Sequence, residues 1–271
     1  MTLERMMVGA VAYDQKVVPI WEGIRDYFRG AEIEMDVVWF SNYEAQVAAL
    51  LAGWIDVAWN TNLAYVRVHH ETAGSCEVLA MRDTDVGFRS MLVARTGELS
   101  RPSDLKGKRL ALGSADSAQA AIMPVYYLRR EGIGDDDVEL IRFDSDVGKH
   151  GDTGRSERDT LAAVLAGEAD AAAIGAASWD MLVRAGDVPP ARLAPVWTSP
   201  TYNHCNFTVL SSLASDRAEA WTRHLLAMDW VNPDQRRILE LEGLREWIAP
   251  DLEGYADVFA AVDEQRIADR W

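Results

Sequence analysis

One short segment occurs in both halves of this chain. VAALLAGWIDVA at residues 47–58 aligns with LAAVLAGEADAA at residues 161–172, and glycine and aspartate stand at the same places in both copies. Each copy predicts a helix of small residues that ends at the glycine, followed by a spacer and an apolar strand. Two such segments, about a hundred residues apart, predict two α/β lobes of related build, each with its own sheet.

The N-terminal region predicts a regular alternation of strands and helices. Strands are expected at residues 6–12, 33–40 and 55–59, from their apolar runs. Apolar residues at helical spacing predict a helix at residues 16–28. A Ser-x-x-Glu capping box at Ser41 predicts the start of the next helix. This alternation predicts an α/β fold whose sheets are mainly parallel and flanked by helices.

Two extended runs, at residues 88–94 and 195–206, are the predicted crossings between the lobes. They divide the chain into a discontinuous lobe I, residues 1–94 and 206–271, and a lobe II, residues 95–205. The helical C-terminal region is expected to pack on lobe I. Two crossover strands form a hinge, and a hinge predicts a cleft that closes on a ligand.

The amino-acid composition and net charge limit which kinds of partner the protein can bind. The chain has 271 residues, of which 49% are hydrophobic, so it can bury a sizeable core. Its 27 basic and 43 acidic residues give a formal charge of −16, which argues against nucleic acid and anionic membranes as partners. No run approaches the roughly 20 apolar residues that span a bilayer. With two cysteines, Cys76 and Cys205, no disulfide framework is expected.

The N-terminus, MTLERMMVGAVAYDQK, has no basic leader, long apolar segment or cleavage site. As written, the sequence therefore predicts a soluble, cytoplasmic protein without membrane insertion. The alternative is a periplasmic protein from which a leader was removed.

KGKRLALGSADSAQAAIMP, residues 106–124, predicts a strand, a tight turn and the start of a helix. Such a junction directs unpaired backbone N–H groups and the positive end of the helix dipole at one point, where a small anionic or polar ligand can bind. The same residues also fit a simple capped helix. Both interpretations stay open at this point.

Four motifs, in this order and spacing, resemble one family. They are LLAGWIDVAWNTNLAYVRV, FRSMLVART, LSRPSDLKGKRLALGS and LAAVLAGEADAAAI, and together they cover most of residues 7–180. The family is that of the phosphate, phosphite and phosphonate-binding components of ABC transporters, a branch of the type II periplasmic-binding-protein fold. The resemblance implies two lobes, a ligand between them and a transporter permease as partner.

The resemblance also implies site residues. The first lobe and the crossing strand contribute Tyr13, Tyr43, Asn60, Thr61, Asn62, Phe88 and Ser90. The family's Ser-Thr-Ser-Gly cradle falls on residues 117–120, where only Ser117 keeps a hydroxyl, and its histidine position falls on Glu157. Because Asp116 adds a second carboxylate that would repel an incoming phosphonate, we expect a ligand other than phosphate or phosphonate.

Two polar stretches add candidates. GKHGDTGRSERD contains His150 and Glu157, and YNHCN contains Tyr202, His204 and Cys205. The predicted ligand-binding set is Tyr13, Tyr43, Asn60, Thr61, Asn62, Ser90, Ser114, Asp116, Ser117, Gln119, Glu157, Tyr202 and His204. No cofactor is expected. A divalent metal is the alternative, with His150, Glu157, His204 and Cys205 as candidate ligands.

Two functions fit these residues. The first is a solute-binding protein that closes over a small polar ligand between the lobes, with a carboxylate-bearing ligand as one option. The second is a cytosolic enzyme on the same fold, of the decarboxylase or lyase type, that acts on a small organic acid with His204 and Glu157 as acid and base.

Overall fold

The computed structural model describes residues 4–189 and 191–270, and the chain divides into two compact units. The first unit contains the residues up to Gly87 together with Asn203–Tyr255. The second contains Phe88–Tyr202 and the residues from Ala256 onward. The chain therefore passes between the units three times, not twice as predicted.

The strands and helices follow in chain order. They are β1 (Glu4–Val11), α1 (Val17–Tyr27), β2 (Ile33–Phe40), α2 (Tyr43–Leu51), β3 (Val57–Asn60), α3 (Asn62–Glu71), β4 (Cys76–Arg82), β5 (Ser90–Arg95), β6 (Arg109–Leu112), α4 (Met123–Arg130), β7 (Glu139–Arg142), α5 (Arg155–Ala166), β8 (Ala171–Gly175), α6 (Ala176–Ala185), β9 (Leu193–Thr198), β10 (Asn206–Leu210), α7 (Ser215–Leu226), α8 (Pro233–Glu242), β11 (Trp247–Ile248) and α9 (Ala256–Glu264).

The sheet of the first unit has the strand order β11-β4-β10-β3-β1-β2. Strand β1 pairs in parallel with β2 and β3, whereas β10 runs antiparallel between β3 and β4. The sheet is therefore mixed, where the sequence predicted a mainly parallel one. The cause is the return of the chain at residue 203, which inserts β10 into the sheet in the opposite direction.

Helices cover both faces of this sheet. On one face, Trp21 of α1 and Trp221 of α7 pack with Phe207 in a core of large aromatic side chains. On the other face, α2 and α3 bury a smaller cluster that includes Val47 and Val68. The side chain of Asn42 caps α2 by accepting the Ala45 N–H. The cap therefore lies one residue after Ser41, where the sequence predicted it.

The sheet of the second unit has the order β7-β6-β8-β5-β9 and is also mixed. Strands β6, β7 and β8 are parallel, and β5 pairs antiparallel with β8 and β9. Helix α4 covers one face, and α5 and α6 cover the other. Since β5 belongs to this sheet, the predicted assignment of residues 88–94 to the first lobe is wrong.

The last helix, α9, also belongs to the second unit and not, as predicted, to the first. Its Asp257 accepts hydrogen bonds from Tyr126 (3.0 Å) and Tyr127 (2.8 Å) of α4. Gln265, just after α9, donates to the carbonyl of Ile122 at 2.9 Å. The amphipathic pattern of the C-terminal region predicted its helices but could not identify which core they cover.

No helix in the described ranges combines the length and the apolar character that crossing a membrane requires.

Candidate ligand-binding site

In the first unit, the strand ends gather polar side chains at one edge of the sheet. Strands β1, β2 and β3 are parallel, so their carboxyl ends share that edge, and the start of the antiparallel β10 meets it at Asn206, opposite Asn60. Tyr13 follows β1, and Tyr43 begins α2 just after β2. The ring of Tyr43 is 1% exposed and packs among the apolar side chains beneath α2.

Asn60, Thr61 and Asn62 are fully buried at the end of β3. Thr61 caps α3 through its Oγ1, which accepts the Ala64 N–H at 3.2 Å. The Nδ2 of Asn62 donates to the carbonyl of Asn203 at 3.0 Å. Asn60 accepts from Gln46 at 2.9 Å, but its own Nδ2 has no hydrogen-bond partner among the described residues. Asn60 is thus the member of this triplet with a buried donor to offer a ligand.

Beside these strand ends lies a buried charged cluster that the sequence did not indicate. Arg82 forms a bidentate ion pair with Asp85, with distances of 2.6 and 2.8 Å. The Nδ1 of His204 lies 3.6 Å from Asp85 Oδ1 and 2.9 Å from the Sγ of Cys205. Burial opposes ionisation of Asp85, but the Arg82 guanidinium outweighs it and lowers the pKa of this carboxyl to about 2.

Neighbouring residues on a strand point to opposite faces, which predicts that His204 and Cys205 diverge. They converge because β10 begins only at Asn206, so strand alternation does not apply to the two residues before it.

In the second unit, the predicted strand–turn–helix junction is present, with a modification. Strand β6 ends at Leu112, and the chain re-enters helical structure at Ala118 as a π-helical turn, Ala118–Ile122, before α4. Ser117 caps this turn, since its Oγ accepts the Ala120 N–H at 3.2 Å. A π turn widens the helix by one residue and frequently marks functional sites.

Gln119 and Ser156 each place a buried polar atom in this region. Gln119 is 4% exposed and Ser156 fully buried. Neither Gln119 Oε1 nor Ser156 Oγ has a hydrogen-bond partner among the described residues. Since buried polar groups are almost always hydrogen-bonded in folded proteins, each of these two atoms is expected to bond to a ligand or to ordered water.

Two glycines show how closely the backbone surrounds these side chains. A Cβ atom on Gly151 would lie 2.5 Å from Ser117 Oγ and 2.6 Å from Gln119 Nε2. A Cβ atom on Gly175 would lie 3.1 Å from Gln119 Cγ and 3.2 Å from Glu157 Oε1. Ser117, Gln119 and Glu157 are thereby placed together by sequence segments far apart in the chain.

Glu157 lies in the first turn of α5, where the helix dipole favours a negative charge. It is 1% exposed, and its Oε1 accepts the Gly175 N–H at 2.7 Å. One backbone donor that could bind an anionic ligand is therefore already occupied by a carboxylate of the chain.

The loop between β7 and α5 is held by hydrogen bonds to the same junction. Ser114 Oγ hydrogen-bonds Asp146, whose other oxygen accepts from Thr153 at 2.7 Å. Asp116 accepts the Gly148 N–H. His150 is 5% exposed, with a left-handed φ of 52°. Ser114 and Asp116 thus hold the loop in place. The sequence predicted them as ligand contacts and did not indicate this structural role.

Ser90 and Tyr202 form a further pair in the second unit. Their hydroxyls are 2.8 Å apart, and both residues are fully buried. Burial raises the pKa of the Tyr202 phenol, and the negative charge of Glu157 raises it further. Tyr202 is therefore close enough to Glu157 for the carboxylate charge to act on its phenol.

The predicted metal candidates fall in different units. His150 and Glu157 belong to the second, and His204 and Cys205 belong to the first. The acid–base pair of the enzyme alternative, His204 and Glu157, is divided in the same way. Sequence reasoning missed Asp85, Arg82, Ser156 and Gln46; only the placing of Ser156 one residue before Glu157 could have suggested any of them.

Comparison with known proteins identifies the family. A family model described as "ABC transporter, phosphonate, periplasmic substrate-binding protein" matches residues 9–255. A Prochlorococcus marinus protein described as a probable ABC transporter phosphite-binding protein is 26% identical over 238 residues, which cover 84% of this chain and 77% of that protein.

Solved structures share the fold. The Prochlorococcus marinus protein in complex with methylphosphonate has a TM-score of 0.76 at 20% identity, covering 98% of this chain and 99% of that one. A Xanthomonas citri protein bound to ATP also has a TM-score of 0.76, at 18% identity, covering 98% of each chain. The Escherichia coli periplasmic aliphatic sulphonate-binding protein has 0.67 at 16% identity, covering 97% and 93%.

The solved structures confirm the predicted type II periplasmic-binding-protein fold. The family match and the curated relative favour a solute receptor over an enzyme. The family match covers both of the repeated segments and the capped junction between them. The chain belongs to the family of periplasmic substrate-binding proteins of phosphonate ABC transporters.

Proposed function

We propose that this protein binds a small zwitterionic solute, with an ammonium and a carboxylate group, for delivery to an ABC transporter permease. The observation that carries the proposal is the pair of buried atoms without hydrogen-bond partners among the described residues, Gln119 Oε1 and Ser156 Oγ. Solute binding of this kind needs no cofactor. The family is periplasmic, so the family does not support the cytoplasmic location expected from the sequence, and we place the proposed function in the periplasm.

The chemistry of the second unit favours a hydrogen-bond donor on the solute. Gln119 Oε1 is an acceptor, and the Glu157 carboxylate beside it accepts as well. The buried side chains of the second unit include two carboxylates, Asp146 and Glu157, but no lysine or arginine among the described residues. An ammonium group near Gln119 and Glu157 satisfies acceptors of both side chains.

The same residues disfavour a phosphonate. Two like unit charges 4 Å apart repel by about 4 kcal/mol at the effective dielectric of a protein surface. A phosphonate dianion near Glu157 would meet this repulsion, and no lysine or arginine of the second unit is buried among the described residues to offset it. We therefore propose that Glu157, at the family's histidine position, changes the ligand preference from phosphonate to ammonium.

The first unit offers a hydrogen-bond donor of its own. The buried Nδ2 of Asn60 is a donor without an acceptor among the described residues. A carboxylate oxygen of the solute satisfies this donor at the end of β3. We propose Asn60 as its direct contact, with Thr61 and Asn62 holding the end of the strand in place.

The test is a thermal-shift and calorimetric comparison of small α- and β-amino acids, simple amines, carboxylates, phosphite and methylphosphonate. An amino acid should stabilise the protein at micromolar concentration, and phosphite and methylphosphonate should not. Glu157→Gln should weaken binding of the amino acid about tenfold or more, in line with loss of a charge-assisted hydrogen bond. Glu168→Gln, at an exposed position, is the matched control and should bind normally.

Micromolar binding of methylphosphonate with no binding of amino acids would show that the proposed ligand class is wrong. Unchanged amino-acid affinity in both Glu157→Gln and Asn60→Ala would contradict the assignment of Glu157 and Asn60 as ligand contacts.

A further inference from the structure

Asp85, His204 and Cys205 bring three different metal-ligating side chains together in the interior of the first unit. One ligand atom from each, a carboxylate oxygen, an imidazole nitrogen and a thiol sulphur, lies within 4.8 Å of the other two. All three residues are buried, with exposures of 0%, 4% and 3%. We propose that these residues bind a transition-metal dication, with Zn²⁺ as the best match.

The separations suit coordination to one ion. Zinc binds oxygen and nitrogen at about 2.0–2.2 Å and sulphur at about 2.3 Å, in tetrahedral geometry. Ligand atoms around such an ion are therefore about 3–4 Å apart. The 3.6 Å between His204 Nδ1 and Asp85 Oδ1 lies within this range, and the 2.9 Å between Nδ1 and Cys205 Sγ lies just below it. Small side-chain rotations accommodate the ion without movement of the strands.

The ion pair with Arg82 leaves Asp85 able to bind the metal. A carboxylate offers about four lone-pair positions, and Arg82 uses one on each oxygen. The remaining lone pair of Oδ1 is available toward His204. Arg82 thereby orients the carboxylate, as hydrogen bonds to first-coordination-sphere ligands do in metal sites.

The charges balance when a dication is bound. Arg82 also pairs with Glu242 at 3.2 Å, so its positive charge offsets one of two carboxylates. Metal binding releases the Cys205 thiol proton to solvent, and the resulting thiolate and the remaining carboxylate neutralise the dication. Nitrogen and sulphur ligands favour zinc over Mg²⁺ or Ca²⁺, which prefer oxygen.

Three protein ligands leave the fourth tetrahedral position for water or another small ligand. The site lies at the strand edge where β3 ends at Asn60, since β10, which directly follows Cys205, pairs with β3 from Asn206. It uses none of the contacts proposed for the solute. Of the ligand-binding residues predicted from the sequence it uses only His204, which was also a candidate metal ligand.

The experiment is titration of the chelator-treated full chain with Co²⁺, without any solute. We expect one equivalent to bind and to produce a near-ultraviolet thiolate-to-cobalt charge-transfer band, which equimolar Zn²⁺ abolishes. Cys205→Ser should lose the band. Cys76→Ser, which removes the half-buried cysteine of β4, is the matched control and should keep it.

Absence of the band in the wild-type chain, or an equal band in Cys205→Ser, overturns the proposal. Because the wild-type titration is decisive by itself, a folding defect in a variant does not leave the question open. Solute affinity is measured separately, so failure of the metal site and failure of the proposed receptor function are distinguishable.

Discussion

Gly151 shows how one residue can limit both stability and ligand binding. Its φ of 86° lies in the left-handed region, and a Cβ atom there would overlap Ser117 and Gln119. Gly167 has a similar φ of 79°, but a Cβ atom on it would have no atom of the described residues within 4 Å. The two glycines therefore separate the cost of backbone strain from the cost of steric overlap.

We predict that Gly167→Ala lowers the free energy of unfolding by about 1 kcal/mol, from strain alone. Gly151→Ala should lower it by at least about 1 kcal/mol more, from overlap in a packed site, and should also abolish solute binding. Urea unfolding and calorimetry measure both effects. Equal destabilisation by the two substitutions would show that the packing around Gly151 relaxes without cost.

Sequence patterns predicted part of the candidate site. Ser117 and Glu157 could be found because a capped helix start and a family position mark them. Asp85 could not, since its cluster forms only when the chain returns at His204, more than a hundred residues later. Gln46 is hidden for a similar reason, because it looks like any polar residue of α2 until its contact with Asn60 is known.

The π-helical turn at Ala118–Ile122 is the element that positions Gln119. In it, the Ile122 N–H bonds to the Ser117 carbonyl, five residues back. A π turn is equivalent to one residue inserted into an α-helix. Removing that residue should restore a regular helix but rotate the Gln119 side chain out of its position.

We predict that deletion of Ala121 leaves a folded protein with nearly unchanged circular dichroism but no solute binding. Deletion of Ala162, an exposed residue inside the regular helix α5, is the comparison. It should be much more destabilising, because it moves the apolar face of α5 out of register. A binding-competent Ala121 deletion would contradict the assigned role of the turn.

Elements with a local signal were predicted well from the sequence. The repeat predicted both helix ends and both strands, and Gly53 and Gly167 adopt the expected positive φ. The sheet directions were not predicted, since the pairing of β5 and β10 depends on the path of the chain and not on apolar runs. The π turn has no distinct sequence pattern either, because its residues, AQAAI, also favour an α-helix.

The last helix, α9, stabilises the second unit. Val258, Ala261 and Val262 of α9 are buried, and Asp257 holds two tyrosines of α4. Two arginines of α4, at positions 129 and 130, bond to Glu264 at the end of α9. Apolar burial and hydrogen bonds to a charged group together make α9 a substantial part of this unit's stability.

We predict that a chain ending at Tyr255 loses hydrogen-exchange protection mainly in β5–β9, whereas β1–β3 stay protected. The first sheet serves as the internal reference in the same sample. The mechanism is the exposure of α4, which covers one face of the second sheet. Equal loss of protection in both sheets would show that α9 does not stabilise the second unit selectively.

The three passages of the chain between the units determine when each hydrophobic core can be completed during biosynthesis. The second unit includes Ala256 and the residues beyond it, and the sheet of the first unit includes β10 and β11. Neither core can therefore be complete until most of the chain has left the ribosome. Contacts between residues so distant in sequence form slowly. A chain that follows this path therefore lacks a complete hydrophobic core for most of its synthesis.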